Sequence, residues 1–212
     1  GLISIKSMKK LIIITFSLAI LCGIPLVLRG GYPILIVGVL SIISGYAYTA
    51  GPYPLGYNGW GDFFVFCFFG PIAVSGTYFL QNLEISIASI YAGIILGCLS
   101  VLLLCVNNLR DIETDRKASK KTLAVRLGPR FVRVMFILLA LTTYVLSFYL
   151  TYFLFILNQN VFLVLTIITF PIFIKITFDI YKISGEKFNV LLGNVAGFIM
   201  LYSILFTISI LA

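Results

Sequence analysis

Residues 94–121, IILGCLSVLLLCV followed by NNLRDIETDRKASKK, join an uncharged apolar run to the most highly charged segment of the chain. With the apolar residues before it, the run is long enough to cross a hydrocarbon core about 30 Å thick as a helix. Acidic and basic side chains then crowd together over residues 107–121. The stretch therefore predicts a transmembrane helix that ends at a polar membrane surface.

The composition extends this prediction to the whole chain. Of the 212 residues, 61% are apolar and 10% are charged, whereas about 25% of a soluble domain is charged. The apolar runs lack the period-2 alternation of a membrane barrel, so helices are expected. We predict an all-α, polytopic transmembrane helical bundle that forms a single domain over residues 1–212.

Seven segments have the length and apolarity of a membrane span, which needs about 20 residues. They are residues 11–28, 34–50, 62–80, 86–106, 131–154, 161–178 and 189–212.

Basic residues are distributed asymmetrically across these seven spans. One basic residue, Arg29, falls on the side opposite the N-terminus. The other side, counting helix-end residues, holds Lys6, Lys9, Lys10, Arg110, Arg116, Lys117, Lys120, Lys121, Arg126, Arg130, Arg133, Lys175, Lys182 and Lys187. Because basic loops stay in the cytoplasm, we expect an inner-membrane protein whose residues 107–121 face the cytoplasm.

Several functional classes are disfavoured by the residues present. The chain has no histidine, which excludes imidazole metal sites and histidine acid–base catalysis. The net charge of +8 follows membrane topology, so the lipid bilayer is the expected partner and nucleic acid is not. Nearly every charge lies at a predicted span boundary, whereas a transporter needs ionisable groups within its spans.

Asn107, Asp111 and Asp115 recur at every fourth residue. On a helix this spacing places two carboxylates and an amide along one face. Such oxygen ligands suit Mg²⁺, which completes its shell with water and substrate phosphate. Five nearby cations could bind the remaining phosphate oxygens, namely Arg110, Arg116, Lys117, Lys120 and Lys121. The alternative is that these bases serve topology alone.

The uncharged loop at residues 51–61 contains four glycines and two prolines, which predicts a tight turn. Its aromatic side chains, including Tyr53 and Tyr57, suit the membrane interface. The loop could equally cap a substrate cavity, and the two interpretations are compatible. Asp62 stands where the N-cap of the next helix is expected.

Residues 107–128, NNLRDIETDRKASKKTLAVRLG, closely resemble the second aspartate-rich motif of the UbiA superfamily of membrane prenyltransferases. The likeness is strongest to the branch that prenylates 1,4-dihydroxy-2-naphthoate. Residues 51–62, GPYPLGYNGWGD, and the following Phe68-Phe69-Gly70 resemble a loop of the same branch. The resemblance extends over essentially the whole chain.

This resemblance implies nine helices around a cavity in which two aspartate-rich motifs bind Mg²⁺ and a polyprenyl diphosphate. The implied reaction transfers the polyprenyl group to 1,4-dihydroxy-2-naphthoate, giving demethylmenaquinone in menaquinone biosynthesis. Asp111 and Asp115 are the implied catalytic metal ligands. The implied diphosphate-binding residues are Asn107, Asn108, Arg116, Lys117 and Lys121, and Tyr53 and Tyr57 belong to the capping loop.

The chain departs from the family pattern in two respects. It shows seven predicted spans rather than nine, and no counterpart of the first aspartate-rich motif is found. Of its seven acids, Asp111 and Asp115 alone are four residues apart. We therefore expect an N-terminally truncated domain that is inactive alone. Two alternatives are a related transferase with another aromatic acceptor and a non-catalytic lipid-binding or transport protein.

Overall fold

A computed structural model describes residues 4–156, 163–183 and 185–211. Its eight α-helices are α1 Ile5–Thr49, α2 Gly61–Phe69, α3 Pro71–Asn82, α4 Ile87–Arg110, α5 Ile112–Lys117, α6 Leu123–Ile156, α7 Phe170–Lys182 and α8 Lys187–Leu211. Short 3₁₀ helices occupy Leu55–Tyr57 and Leu163–Thr169. The described residues contain no strand, which confirms the all-α prediction.

Five helical segments are long and apolar enough to cross a membrane: Ile5–Thr49, Gly61–Asn82, Ile87–Arg110, Leu123–Leu154 and Lys187–Ile210. The protein is therefore a polytopic membrane protein, as predicted. The count of seven spans differs for two reasons. The first two predicted spans both lie in α1, and the predicted span 161–178 begins outside the described residues and continues as a 3₁₀ helix followed by α7.

The kink in α1 lies at Gly31, whose φ of 66° and ψ of −150° are not helical. Arg29, just before the kink, donates to the carbonyls of Leu80 and Gln81 at 3.2 Å each. Near the other end of α1, the Tyr48 hydroxyl lies against Gly61. The segment after the kink therefore runs antiparallel to α2 and α3, and the 45 residues of α1 suffice for two spans.

The central helix is α4, which contacts α2, α3, α6 and α8. Its fully buried apolar side chains include Ile95, Leu99, Leu102 and Val106, which lie along one face because they recur every three or four residues. A helix that is apolar all round is expected in the middle of a bundle, since every face has a protein or lipid neighbour. The last turn of α4 is thereby held rigidly, and this turn carries the polar residues at 107–111.

Close backbone packing positions α2 and α3 against α4. A Cβ atom at Gly97 would lie 2.7 Å from the carbonyl oxygen of Phe66, and one at Gly93 would lie 2.7 Å from the Cα atom of Pro71. Both distances are too short for any side chain, so these glycines let the helix backbones touch. Such contacts between small residues are typical of helix packing in membranes.

Candidate active site

The three predicted ligand residues lie where α4 passes into α5. Helix α4 ends at Arg110, and Asp111 is both its C-cap and the N-cap of α5. The amide of Asp111 donates to the carbonyl of Asn107 at 3.0 Å, and the amide of Asp115 donates to the carbonyl of Asp111 at 2.7 Å. The helical path thus continues through the break, and the three residues stay on one side.

A polar cavity of about 240 Å³ lies beside this junction. Its walls come from the end of α1, the 51–61 loop, α4, α5 and the segment before α6. The lining residues are Tyr48, Thr49, Gly56, Tyr57, Leu104, Asn107, Asn108, Asp111, Asp115, Lys120 and Thr122. The structure therefore brings together all four predicted residues of the Asn/Asp motif.

Arg110 neutralises one of the two predicted metal ligands. Its Nε donates to Oδ1 of Asp111 at 2.7 Å and its Nη2 donates to Oδ2 at 2.8 Å. The same guanidinium donates to Oδ1 of Asn107 at 2.7 Å and to Oδ1 of Asn189 on α8 at 3.2 Å. Hydrogen bonding to Arg110 lowers the pKa of the Asp111 carboxyl, so this group is ionised at neutral pH.

Lys120 neutralises the other carboxylate. Its ammonium lies 3.1 Å from Oδ1 of Asp115, whose side chain is 8% exposed. The bond to Asp115 raises the pKa of Lys120, so the Lys120 ammonium stays protonated at neutral pH. The ammonium also lies 5.0 Å from the centre of the Tyr57 ring, within the range of a cation–π contact. Each acid of the motif is thus paired with a cation of the same segment.

The loop at residues 51–61 is fastened to the charged segment. The amide of Lys121 donates to the carbonyl of Tyr57 at 2.6 Å. A Cβ atom at Gly59 would lie 2.9 Å from the carbonyl oxygen of Lys121, and the φ of Gly59 is +83°. Tyr57 lines the cavity, whereas Tyr53 is 57% exposed and does not line it.

The three cations predicted to bind diphosphate lie outside the polar cavity. Arg116 pairs with Glu113 at 3.2 Å on the exposed face of α5, and Lys117 and Lys121 are also exposed. None of these three lines the polar cavity. The cation that does line it is Lys120, which the sequence could not distinguish from its neighbours because all five bases flank the acids.

Four further residues of this region carry no sequence signal for a site. Asn189 reaches Arg110 from α8, and Tyr48 and Thr122 line the cavity. The fourth residue is Asp62.

Asp62 was predicted to cap α2, and that prediction is wrong. The N-cap is Trp60, and Asp62 lies in the first turn without a capping bond. Its side chain is turned inward, where Oδ1 is buried and has no hydrogen-bond partner.

Two apolar cavities adjoin the polar one. The first, of about 450 Å³, shares Tyr48 with it and lies between the end of α1 and α2. The second, of about 410 Å³, shares Leu104 and Asn107 with it and lies between α2, α4 and α8. The polar cavity therefore shares wall residues with apolar space on two sides, an arrangement that suits a ligand with an anionic head and an apolar body.

The donor set fits a magnesium ion. Asp111 and Asp115 supply two carboxylates and Asn107 an amide oxygen on one cavity wall. Within the described ranges, no group of three histidine, cysteine or acidic residues lies close enough to hold a metal ion alone. Two carboxylates with remaining positions for water and phosphate are the usual Mg²⁺ arrangement in enzymes that bind phosphorylated substrates.

Long apolar helices define an integral membrane protein, and its polar cavity lies beside two apolar cavities. The chain belongs to the UbiA prenyltransferase family, whose model matches residues 1–189.

Curated relatives of this chain include three proteins named 1,4-dihydroxy-2-naphthoate octaprenyltransferase. That of Mycobacterium tuberculosis is 41% identical over 122 residues, which are 58% of this chain and 42% of the relative. The Escherichia coli protein is 42% identical over 134 residues, which are 60% of this chain and 44% of the relative. The Haemophilus influenzae protein is 50% identical over 92 residues, which are 43% of this chain and 30% of the relative. The chain thus spans less than half the length of these relatives, and no solved structure matches it.

Proposed function

We propose that this chain acts in the transfer of a polyprenyl group from an allylic prenyl diphosphate to 1,4-dihydroxy-2-naphthoate, the demethylmenaquinone-forming step of menaquinone biosynthesis. The observation that carries the proposal is that Asn107, Asp111, Asp115 and Lys120 line one cavity, which shares wall residues with two apolar cavities. The names of the curated relatives support the choice of acceptor.

The chemistry of the cavity supports a role in diphosphate binding. Mg²⁺ held by Asp111 and Asp115 would stabilise the charge of a departing diphosphate. Arg110 and Lys120, which now neutralise these acids, would be released to the phosphate oxygens, to which Arg can donate two parallel hydrogen bonds. Asn107 and Asn108 would orient the same head group from the last turn of α4.

The apolar cavity between α2, α4 and α8 is the proposed place for the prenyl chain. It meets the polar cavity at Leu104 and Asn107, and Val65, Phe69 and Leu192 line it further in. A hydrocarbon chain there would leave its diphosphate beside Asp111 and Asp115. Burial of apolar surface contributes about 25 cal/mol per Å², so the chain rather than the head would supply most of the affinity.

Arg116, Lys117 and Lys121 are proposed to act less directly, by attracting the anionic head group to the membrane surface. Exposed charges of one sign raise the local concentration of an oppositely charged ligand. The cytoplasmic side of the bacterial inner membrane is the proposed location of this surface, in agreement with the one-sided distribution of basic residues. Because the 212 residues contain one aspartate-rich motif of this spacing, we propose that the chain alone binds the diphosphate without turning it over.

Binding of a non-hydrolysable prenyl thiodiphosphate tests the proposal directly. Titration calorimetry of the full chain in detergent micelles should show Mg²⁺-dependent binding that EDTA abolishes. Asp111→Asn and Asp115→Asn should each weaken binding about tenfold or more, the equivalent of about 1.4 kcal/mol. Asp111 is more exposed than Asp115. Asp111→Asn therefore still tests the site if Asp115→Asn prevents folding.

Glu113→Gln is the matched control, because Glu113 lies between the two acids in sequence and its side chain is 70% exposed. Its binding should equal that of the unchanged chain. Binding that is independent of Mg²⁺, or equal in both aspartate variants and the unchanged chain, would contradict the proposed role of the cavity.

A further inference from the structure

Tyr48 lies at the boundary between two of the cavities. It is the last tyrosine of α1 and lines both the polar cavity and the apolar cavity beside α2. The other walls of that apolar cavity include Phe64 and Phe68, together with the hydroxyl-bearing Ser41 and Ser44. A ligand in either cavity would therefore lie against Tyr48.

Two glycines hold the Tyr48 ring in place. A Cβ atom at Gly56 would lie 2.9 Å from Cε1 of the ring, and a Cβ atom at Gly61 would lie 2.9 Å from the Tyr48 hydroxyl. The backbone of the loop therefore packs directly on the phenol, and a side chain at either position would displace the ring. The hydroxyl is thus held in one place before any ligand arrives, which lowers the entropic cost of using it.

The Tyr48 hydroxyl has no hydrogen-bond partner in the described part of the chain. Two opposite charges act on it electrostatically, Asp62 from the start of α2 and Lys120 from the polar cavity. Because this hydroxyl is not sealed from solvent, a ligand that occupies the cavity can replace solvent as its hydrogen-bond partner.

The buried carboxylate of Asp62, near Tyr48, has no evident structural role. Its side chain is 8% exposed, and Oδ1 is sealed from solvent without a hydrogen bond. An isolated buried carboxylate destabilises a fold, so packing does not account for this residue. Gly61, the residue next to Asp62 in the chain, packs against the Tyr48 hydroxyl, which brings the carboxylate within electrostatic reach of the phenol.

We propose that Tyr48 binds the hydroxyl group of the aromatic acceptor, and that Asp62 is a positioning residue that acts through Tyr48. This inference rests on the proposed function. The aromatic ring of the acceptor would lie in the apolar cavity beside Phe64 and Phe68, and its hydroxyl would donate to the Tyr48 oxygen. Such a hydrogen bond increases the electron density of the ring, which favours attack on an allylic carbon.

Binding of two naphthoates that differ in one hydroxyl tests this inference without turnover. Trp60, two residues before Asp62, is the single tryptophan of the chain, so energy transfer from it to a bound naphthoate reports occupancy in detergent micelles. The unchanged chain should bind 1-hydroxy-2-naphthoate about tenfold more tightly than 2-naphthoate, a typical value for one hydrogen bond in a partly buried site. Tyr48→Phe should bind both compounds equally.

Tyr46→Phe is the matched control, because Tyr46 lies on the same helix, is 58% exposed and lines none of the three cavities described above. It should keep the tenfold preference. Asp62→Asn should reduce the preference while the melting temperature is unchanged or higher, whereas a purely structural role would lower the melting temperature and leave the preference intact.

The outcomes separate the inference from the proposed function. A hydroxyl preference that persists in Tyr48→Phe, or equal binding of both compounds to the unchanged chain, overturns the role of Tyr48 and leaves the prenyl diphosphate site standing. Failure of the unchanged chain to bind either naphthoate overturns the naphthoate acceptor itself, and the inference with it.

Discussion

At the scale of single residues, the two acids of the motif are already paired with cations in this structure. Asp111 is bound by Arg110 through two hydrogen bonds, and Asp115 lies beside Lys120. In the proposed function, a divalent ion that binds Asp111 and Asp115 would displace these two cations from the carboxylates toward the phosphate oxygens. The pairing also prevents two carboxylates on one wall from repelling each other.

Removal of the Arg110 charge should raise the pKa of the Asp111 carboxyl. Because the pKa of Asp111 is lowered in the folded protein, the pair contributes stability above the unfolded pKa of about 3.9, and this contribution is lost as the pH falls through the folded pKa. In Arg110→Gln, the carboxyl should titrate closer to 3.9. Carbon-13 NMR of aspartate-labelled protein measures this, with Asp111→Asn to assign the signal.

Arg116→Gln is the control for this titration, since Arg116 pairs with the exposed Glu113 and not with an aspartate. It should leave the Asp111 signal unchanged. Identical titration of Asp111 in the unchanged chain and in Arg110→Gln would show that the Arg110 hydrogen bonds do not govern its charge.

At the scale of elements, the site depends on how closely α2 and α3 approach α4. Gly70, Gly93 and Gly97 form the contact, and each lacks room for a methyl group. The approach places Asp62 and the 51–61 loop beside the end of α4. A second interhelical contact, between Tyr202 on α8 and Ser147 on α6 at 2.6 Å, is fully buried and holds the opposite side of the bundle.

Gly97→Ala should destabilise the bundle, because the new methyl group would lie 2.7 Å from the Phe66 carbonyl oxygen. Overpacking of this kind typically costs about 1–3 kcal/mol. The matched control is Gly197→Ala on α8, where a Cβ atom meets nothing within 4 Å. That change should be neutral or stabilising by up to about 1 kcal/mol, since alanine favours a helix.

Thermal unfolding of both variants in the same detergent measures the difference. A melting temperature that falls for Gly97→Ala and not for Gly197→Ala supports the backbone contact. Equal melting temperatures would mean that α2 and α4 can separate at this point without loss of stability.

At the scale of the whole molecule, the orientation in the membrane decides which side the charged cavity faces. Arg29 and the carbonyls that it binds at Leu80 and Gln81 lie at one end of the α2–α3 segment, and Asp62 lies at the other end. The topology predicted from the sequence places most of the basic loops on the same side of the membrane as Asp62. We therefore predict that Gln81 faces the exterior and Lys117 the cytoplasm.

Cysteine labelling in intact cells tests this orientation. Gln81→Cys and Lys117→Cys, both at exposed positions, are made on a Cys22→Ser background because Cys22 is also exposed. A membrane-impermeant maleimide should label position 81 in intact cells and position 117 only after permeabilisation. The reverse pattern would invert the proposed orientation and place the cavity outside the cytoplasm.

Properties that depend on local composition and spacing could be predicted from the amino-acid sequence. The membrane-spanning character, the helical class and the position of the acidic motif all follow from neighbouring residues, because lipid forces backbone groups to bond within each helix. The spacing of Asn107, Asp111 and Asp115 placed them on one wall although the helix is interrupted at Asp111. The helical hydrogen bonds on either side of the break preserved that face.

Which polar groups meet depends on how the helices pack against one another. Arg110 and Asn189 are 79 residues apart, and the contacts of Tyr48 with Gly56 and Gly61, like the inward turn of Asp62, depend on how α1 and α2 approach α4. No local pattern marks these residues, since a tyrosine at a helix end and an acid in a first turn are ordinary features. Their role arises from packing between helices, which brings side chains distant in sequence to the edges of one cavity.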